Sequence, residues 1–333
     1  MTPTSTPSGP WLAALLLVAA GDALADSAYI DVYLALGEPG AVHVEGRVLG
    51  GAPPPAEAAG DGVLVNLLRT ALAVASDELP EVTIEAVVRG AAGVEPVRAT
   101  TDGEGYFHLV VAGGTADDGR PGTLPLDVRV DTAGVSALPA AVDATVVPAE
   151  GARIVVADFD DTLVTSDVAR PLLFAARLLL ANGTQLAAVP GAAACTAALA
   201  ADASAFVVLS GQPVNFFPRL AAFLGEHGFP AAWFALRDFG FEPEADSLDV
   251  GAFKRARLEL LAQRLPHARF LLVGDSGEQD ARVYAEFRDA HPGRVDDIWI
   301  RDVSGDAPAT DGVRLFDRWA DLPCDATAAP ASP

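Results

Sequence analysis

Cationic side chains are scarce in this chain, and lysine is almost absent. Its 333 residues include 22 Lys and Arg against 45 Asp and Glu, a formal net charge of −23, and Lys254 is the only lysine. Non-specific nucleic-acid binding runs on basic surface, which this composition excludes. The same charge argues against electrostatic docking onto anionic lipid, because like charges repel. Cysteine is limited to Cys195 and Cys324, outside any CxxC spacing, and the five histidines form no HExxH-like cluster. Neither a zinc site nor a disulfide scaffold is expected.

Long apolar runs are missing as well. Hydrophobic residues make up 51% of the chain, but alanine supplies much of that fraction. No stretch reaches the ~20 uninterrupted apolar residues that a spanning helix needs. The expectation is a soluble, cytoplasmic chain, peripheral to membranes at most. Trp11 to Ala20 resembles a signal h-region and Ala23-Leu24-Ala25 an A-x-A cleavage site, which keeps export through segment 11–25 as the alternative. Against export, the preceding residues hold no Lys or Arg and Asp22 intrudes. Residues 1–40 are therefore read as a helical lead-in.

What the chain does have is two patterns in series. Over residues 41–150 short alternating runs at Ala41–Leu49, Val82–Val88, Tyr106–Val111, Leu124–Val130 and Ala144–Val147 read as strands. One helical segment, Val63–Ser76, interrupts them with apolar residues at a 3.6 period. Many short strands between Gly-rich turns suggest a β-sandwich-like accessory domain. From Ala152 continuous apolar strands alternate with helical segments, as in a parallel sheet covered on both faces. The expected strands are Ile154–Ala157, Phe206–Leu209, Trp233–Leu236, Phe270–Val273 and Ile298–Ile300. Each runs into polar chemistry: Asp158, Ser210, Arg237, Asp275 and Arg301. In open α/β sheets that carboxyl edge is where sites form. This second domain is expected over 151–322, with a disordered tail at 323–333.

The strongest motif is Asp158-Phe159-Asp160-Asp161-Thr162 directly after four apolar residues. Two carboxylates two apart at a strand end can face the same metal and phosphorus centre. Here the chain resembles the haloacid dehalogenase (HAD) superfamily, whose motifs recur in order: Asp158-x-Asp160-x-Thr162, then Phe206 to Ser210, then Lys254, then Gly274-Asp275 with Asp280. The resemblance implies an α/β HAD-like Rossmannoid domain with a parallel sheet and helices on both faces. It implies a phosphohydrolase in which Asp158 attacks phosphorus to form an aspartyl-phosphate and Asp160 serves as acid and base. Thr162, Ser210, Gly211 and Lys254 would hold the phosphoryl oxygens. Mg²⁺ would take oxygens from Asp158, the backbone carbonyl of Asp160, and Asp275. Asp280 would orient Lys254 or a metal-bound water. Independently of the resemblance, a lone lysine among arginines suggests a place where a compact ammonium fits and a planar guanidinium does not.

Residues 152–303 are similar more narrowly to the actin-patch-protein type of phosphatidate phosphatase catalytic domain. Leu209-Ser210-Gly211-Gln212-Pro213, Leu236-Arg237-Asp238-Phe239, the run Leu272–Asp280 with Val283-Tyr284, and His291-Pro292-Gly293-Arg294-Val295 before Ile300-Arg301-Asp302-Val303 carry that likeness. Bacterial members resemble this chain in placing a β-rich domain ahead of the catalytic one. The chain departs from the family's pattern at Gly211-Gln212 and at Phe253, where the family commonly has His before the motif lysine. The likeness implies hydrolysis of phosphatidate at a membrane surface, with Arg237 contacting the headgroup. The alternatives are a HAD phosphatase for a soluble phosphomonoester, and a β-domain binding module carrying a degenerate HAD domain. Oligomeric state is not readable.

Overall fold

The computed structural model describes residues 27–75, 77–91, 93–117, 120–165, 180–238 and 249–324. The signal-like segment 11–25, nearly all of the apolar stretch 171–180 and residues 325–333 lie outside the described residues; of the disordered tail expected over 323–333, Cys324 is held by a disulfide.

The first half is one sheet. Its strands are β1 (Ser27–Glu38), β2 (Ala41–Gly50), β3 (Thr83–Val88), β4 (Val97–Thr100), β5 (Tyr106–Val111), β6 (Gly122–Val130), β7 (Ser136–Ala137) and β8 (Ala140–Val146). They lie in the order β4-β3-β6-β8-β1-β2-β5, with β7 beside β1, mixing antiparallel pairs with two parallel ones, β1 with β8 and β1 with β7. The edge strands β4 and β5 approach each other, so the sheet curls almost into a barrel around Val44, Ile84, Phe107, Leu109, Leu126 and Ala144. The expected β-sandwich is thereby corrected. Both architectures bury every second side chain, as along β5, where Phe107, Leu109 and Val111 are buried and His108 and Val110 exposed. Alternation alone cannot tell two stacked sheets from one curled sheet.

β1 corrects the part of the helical lead-in expected over residues 1–40 that falls on Ser27–Glu38; residues 1–26 lie outside the described residues. The central residues of β1 are buried on both faces, so it lacks the alternation that marks a half-buried strand. Ala35 points into the curled sheet, while Tyr33, Leu34 and Leu36 belong to the core of the second half.

The second half is an all-parallel sheet of β9 (Arg153–Ala157), β10 (Ala205–Pro213), β11 (Trp233–Arg237), β12 (Arg269–Asp275), β13 (Val295–Arg301) and β14 (Arg314–Phe316), in the order β11-β10-β9-β12-β13-β14. The five expected strands are present, and β14 is added. Around them lie α2 (Ala192–Asp202), α3 (Phe217–Glu226), α4 (Val250–Arg264) and α5 (Asp280–Ala290); α1 (Val63–Val74) belongs to the first half. The expected HAD-like Rossmannoid layering, with helices on both faces, is also corrected. Helix is sparse among the described residues, and β1 packs beside β11 where a helix layer was expected. Trp233 Nε1 donates to Thr145 Oγ1 at 3.0 Å across this seam. The molecule is a nearly closed mixed sheet fused to a separate parallel sheet.

Cys195 on α2 and Cys324 form a disulfide, 129 residues apart. The expectation of no disulfide rested on spacing, and the pairing arises only when the fold brings the chain's end back to α2.

Candidate active site

β9 is the centre of the parallel sheet. Ile154, Val155, Val156 and Ala157 are wholly buried, so the functional groups of this segment begin at the strand's carboxyl end. Asp158 N donates to Val273 O at 2.8 Å, which holds the first carboxylate as an extension of the ladder. Phe159 turns into the core against Phe223, and that alternation returns Asp160 to the edge. Asp161 then adopts φ 51°, a left-handed turn that an aspartate tolerates. Two donors pin the turn: Arg301 Nη1 to Asp161 O at 2.6 Å, and Trp319 Nε1 to Thr162 O at 3.1 Å.

Lys254 reaches this edge from α4 and is 1% exposed. Its Nζ donates to Asp158 Oδ1 at 2.8 Å, Glu278 Oε2 at 2.8 Å and Asp280 Oδ1 at 2.6 Å. Asp249 caps the N-terminus of α4 by accepting from Ala252 N. The first sheet grips the same helix, because Glu45 on β2 accepts from Arg257 at 3.0 Å and Arg264 at 2.6 Å. Those guanidiniums outweigh burial and lower the Glu45 carboxyl below its usual range. Asp275 ends β12, and its Oδ1 accepts from Gly277 N at 2.6 Å. Asp280 opens α5 and lies against Gly274, where a Cβ would collide with its carboxylate.

Asp158, Asp275 and Asp280 each present a carboxylate oxygen within 4.8 Å of the others. The remaining oxygens of Asp158 and Asp275, both named Oδ2, are buried without a hydrogen-bond partner. Four carboxylates, counting Glu278, thus face one ammonium. Burial raises Asp158 well above the usual carboxylate range, the neighbouring carboxylates add to this, and Lys254 opposes it. Asp275 rises to about 7, mainly from burial and then from Asp280. For Lys254 burial works against the charge, but Asp158 and Asp280 prevail and lift it well above its ordinary value. Uncompensated negative charge and free hard oxygens fit a small divalent cation such as Mg²⁺.

Asp160 stands apart from that cluster. Its Oδ2 accepts from Gln212 Nε2 at 2.9 Å, and burial raises it to about 6 while Gln212 holds it down. Its place in the expected metal set came through its backbone carbonyl. Ser210 is wholly buried at the bend of β10, and its Oγ accepts from Gln212 N at 3.0 Å. A Cβ on Gly211 would stand 2.8 Å from Val250, so only glycine lets α4 approach. Thr162 is wholly buried, with Oγ1 unpartnered.

Arg237 ends β11 on the wall of a cavity of about 770 Å³ between the two sheets, together with Tyr33, Tyr106, Phe107 and Phe253. Burial lowers the Arg237 guanidinium, and Glu278 opposes that. Beside it Asp238 accepts from Tyr106 OH at 2.8 Å, so the first sheet helps to wall the approach.

Sequence reasoning assigned no role to Gln212, Glu278, Arg301, Trp319 or Glu45. Gln212 and Glu278 lie inside the runs that carried the family likeness, and position within those runs could have flagged them. For Trp319 and Glu45 no local signal exists.

A family model described as "Phosphatidate phosphatase APP1, catalytic domain" matches residues 153–302, less than half of the chain. That segment contains the whole carboxylate and lysine constellation, and the match suggests a phosphatase. A Schizosaccharomyces pombe relative, "Uncharacterized protein C29B5.04c", is 32% identical over 99 residues, 29% of this chain and 16% of its own length. The chain therefore spans about a sixth of that relative. Among solved structures, a Corynascus carbohydrate esterase family 2 enzyme with a carbohydrate-binding domain aligns at 13% identity, over 86% of this chain and 93% of its own, with TM-score 0.21. A calcium-binding mutant of Bacteroides uniformis beta-glucuronidase 2 aligns at 9% identity over 83% and 33%, with TM-score 0.22. Such scores carry no argument about fold or activity. Among the described residues no helix is long and apolar enough to cross a membrane.

Proposed function

We propose that this protein is a Mg²⁺-dependent phosphatidate phosphatase that hydrolyses phosphatidate to diacylglycerol and phosphate through an aspartyl-phosphate. The observation that carries the reading is Asp158: one oxygen bonded to Lys254, the other buried and unpartnered beside Asp275. A fixed carboxylate with one open oxygen is what in-line attack on phosphorus requires. The motif order that resembles the HAD superfamily supports the same chemistry.

Asp158 Oδ2 attacks phosphorus, and the ester oxygen leaves with the P–O bond electrons. Asp160, held near neutrality by burial, donates its proton to that oxygen. Water then attacks the phosphorus of the aspartyl-phosphate and gives a proton to Asp160, the bond from Asp158 to phosphorus breaks, and Asp158 and phosphate are released. Lys254 and Ser210 hold the phosphoryl oxygens, where charge develops. Asp158, Asp275 and the Asp160 carbonyl would hold Mg²⁺, with Asp280 at hand, and the ion would supply neutralisation of the phosphoryl oxygens.

The lipid assignment rests on the family match and on the largely apolar cavity walled by Tyr33, Phe107, Val214, Leu236 and Phe253. The Cys195–Cys324 disulfide supports the exported alternative over a reducing cytoplasm. The test is phosphate release from micellar phosphatidate with Mg²⁺ or EDTA, beside Asp158→Asn. Release that needs both Mg²⁺ and Asp158 is expected. Asp158-dependent turnover of a small soluble phosphomonoester alone would sink the lipid reading. Inactivity on every phosphate ester would leave a binding module.

A further inference from the structure

Helix α1 is built inside out. In VLVNLLRTALAV the polar residues Asn66 and Thr70, one turn apart, are the buried ones. Asn66 Nδ2 donates to Leu180 O at 2.9 Å and to Gln185 Oε1 at 2.7 Å, and its Oδ1 accepts from Asn182 at 3.2 Å. Arg219 Nη2 donates to Thr70 Oγ1 at 2.7 Å, and Asn215 Nδ2 to Ala73 O at 2.8 Å. Polar groups thus fasten the helix, while Leu64, Val65, Leu67, Leu68, Leu72 and Val74 are exposed, Leu64 to 81%. Hydrophobic periodicity normally turns such residues to the core. A contiguous apolar face left in water marks an interaction surface.

We infer that the apolar face of α1 inserts into the acyl layer of a lipid membrane and seats the protein there. The charge pattern selects this occupant. The helix carries one charged residue, Arg69, and its guanidinium is drawn aside to Asp61 at 2.9 Å, so the face itself is neutral. Two chains of net charge −23 repel each other, which disfavours a second copy. The side chains argue the same way. The exposed face holds only Leu, Val and Ala, without the Trp, Tyr or Arg anchors in which protein interfaces are rich. Lipid insertion needs no such anchors, because each apolar side chain partitions separately. The placement is apt for the proposed substrate, and in that respect the inference rests on the phosphatase reading. Asn215 and Arg219, which hold α1, follow closely on Gln212, the partner of Asp160.

The experiment is co-sedimentation of the full chain with phosphatidylcholine vesicles free of phosphatidate. Binding is expected to persist at about 1 M NaCl, since screening does not weaken apolar insertion. The double variant Leu64→Glu, Leu68→Glu should bind about tenfold or more weaker. Both side chains are solvent-exposed, so its melting temperature should stay that of the parent. Leu138→Glu, at an exposed leucine between β7 and β8, should bind as the parent does. Absence of binding by the parent, equal binding by the double variant, or a parent dimer that the double variant dissolves would each overturn the inference. Because the vesicles hold no phosphatidate, binding without phosphatidate hydrolysis sinks only the substrate reading, and hydrolysis without binding sinks only the docking.

Discussion

Glu45 of the first sheet and Arg264 of the helix that carries Lys254 form an ion pair at 2.6 Å, with side chains only 9% and 10% exposed. The pair links the curled sheet to the position of the Lys254 ammonium. Glu45→Gln leaves Arg264 and Arg257 facing a neutral amide in a dry seam. We expect a loss of about 2–3 kcal/mol in unfolding free energy, and a lower kcat through a looser α4. Denaturant melts and steady-state kinetics together check this, and unchanged kinetics would confine Glu45 to stability.

Lys254→Arg should not rescue function. Three carboxylates close on Nζ at 2.6–2.8 Å, a space for a compact ammonium. We expect phosphate release to fall about a hundredfold or more. Lys254→Met should also destabilise the metal-free protein by about 3 kcal/mol, because three buried carboxylates lose the ammonium they share. Turnover within a few-fold of the parent in Lys254→Arg would refute the geometric argument.

Stability without metal should fall as pH rises. Asp160 and Asp275 titrate at about 6 and about 7 in the folded protein, both above their ordinary value of 3.8. Between the ordinary and the folded values the folded state binds more protons than the unfolded one, so that stabilisation is present at low pH and lost through this window. Each group contributes about 1–3 kcal/mol. Melting curves in EDTA should show this slope, and Mg²⁺ should flatten it. A flat profile in EDTA would mean that the carboxylate charge is compensated without a cation.

Gln212→Leu removes the hydrogen bond that holds the Asp160 pKa down. The carboxyl should titrate higher, and the pH optimum of kcat should move up by about one unit. A lower rate with an unmoved optimum would assign Gln212 a packing role only.

Cys195→Ser should cost stability through the unfolded chain. Opening a loop of 129 residues is worth about 3–5 kcal/mol in the chain-entropy account. Denaturant unfolding with and without reductant reads the difference, and reductant should have no effect on the variant.

The parallel strands were legible because each is an unbroken apolar run that ends in a functional group, as Ile154–Ala157 does before Asp158. The groups at those strand ends converge for the same reason. The curled sheet was not legible, since alternation along Tyr106–Val111 is common to curled and stacked sheets. β1 was hidden because Tyr33, Leu34, Ala35 and Leu36 serve two cores and so carry no period of two. The helix expected over Val63–Ser76 is present over Val63–Val74, but which of its faces meets water was not legible, because the pattern says only which residues share a face. Gln212, Glu45 and Trp319 act over 52, 212 or 219, and 157 residues of sequence, beyond any local rule.

The seclusion of the single lysine has a practical consequence. Acylating reagents, lysine-directed cross-linkers and lysine-modifying enzymes meet no side-chain amine on the folded surface, since Lys254 is 1% exposed and triply bonded. Acylation of Lys254 is therefore a chemical clock for opening of this centre, read at the chain's single side-chain amine.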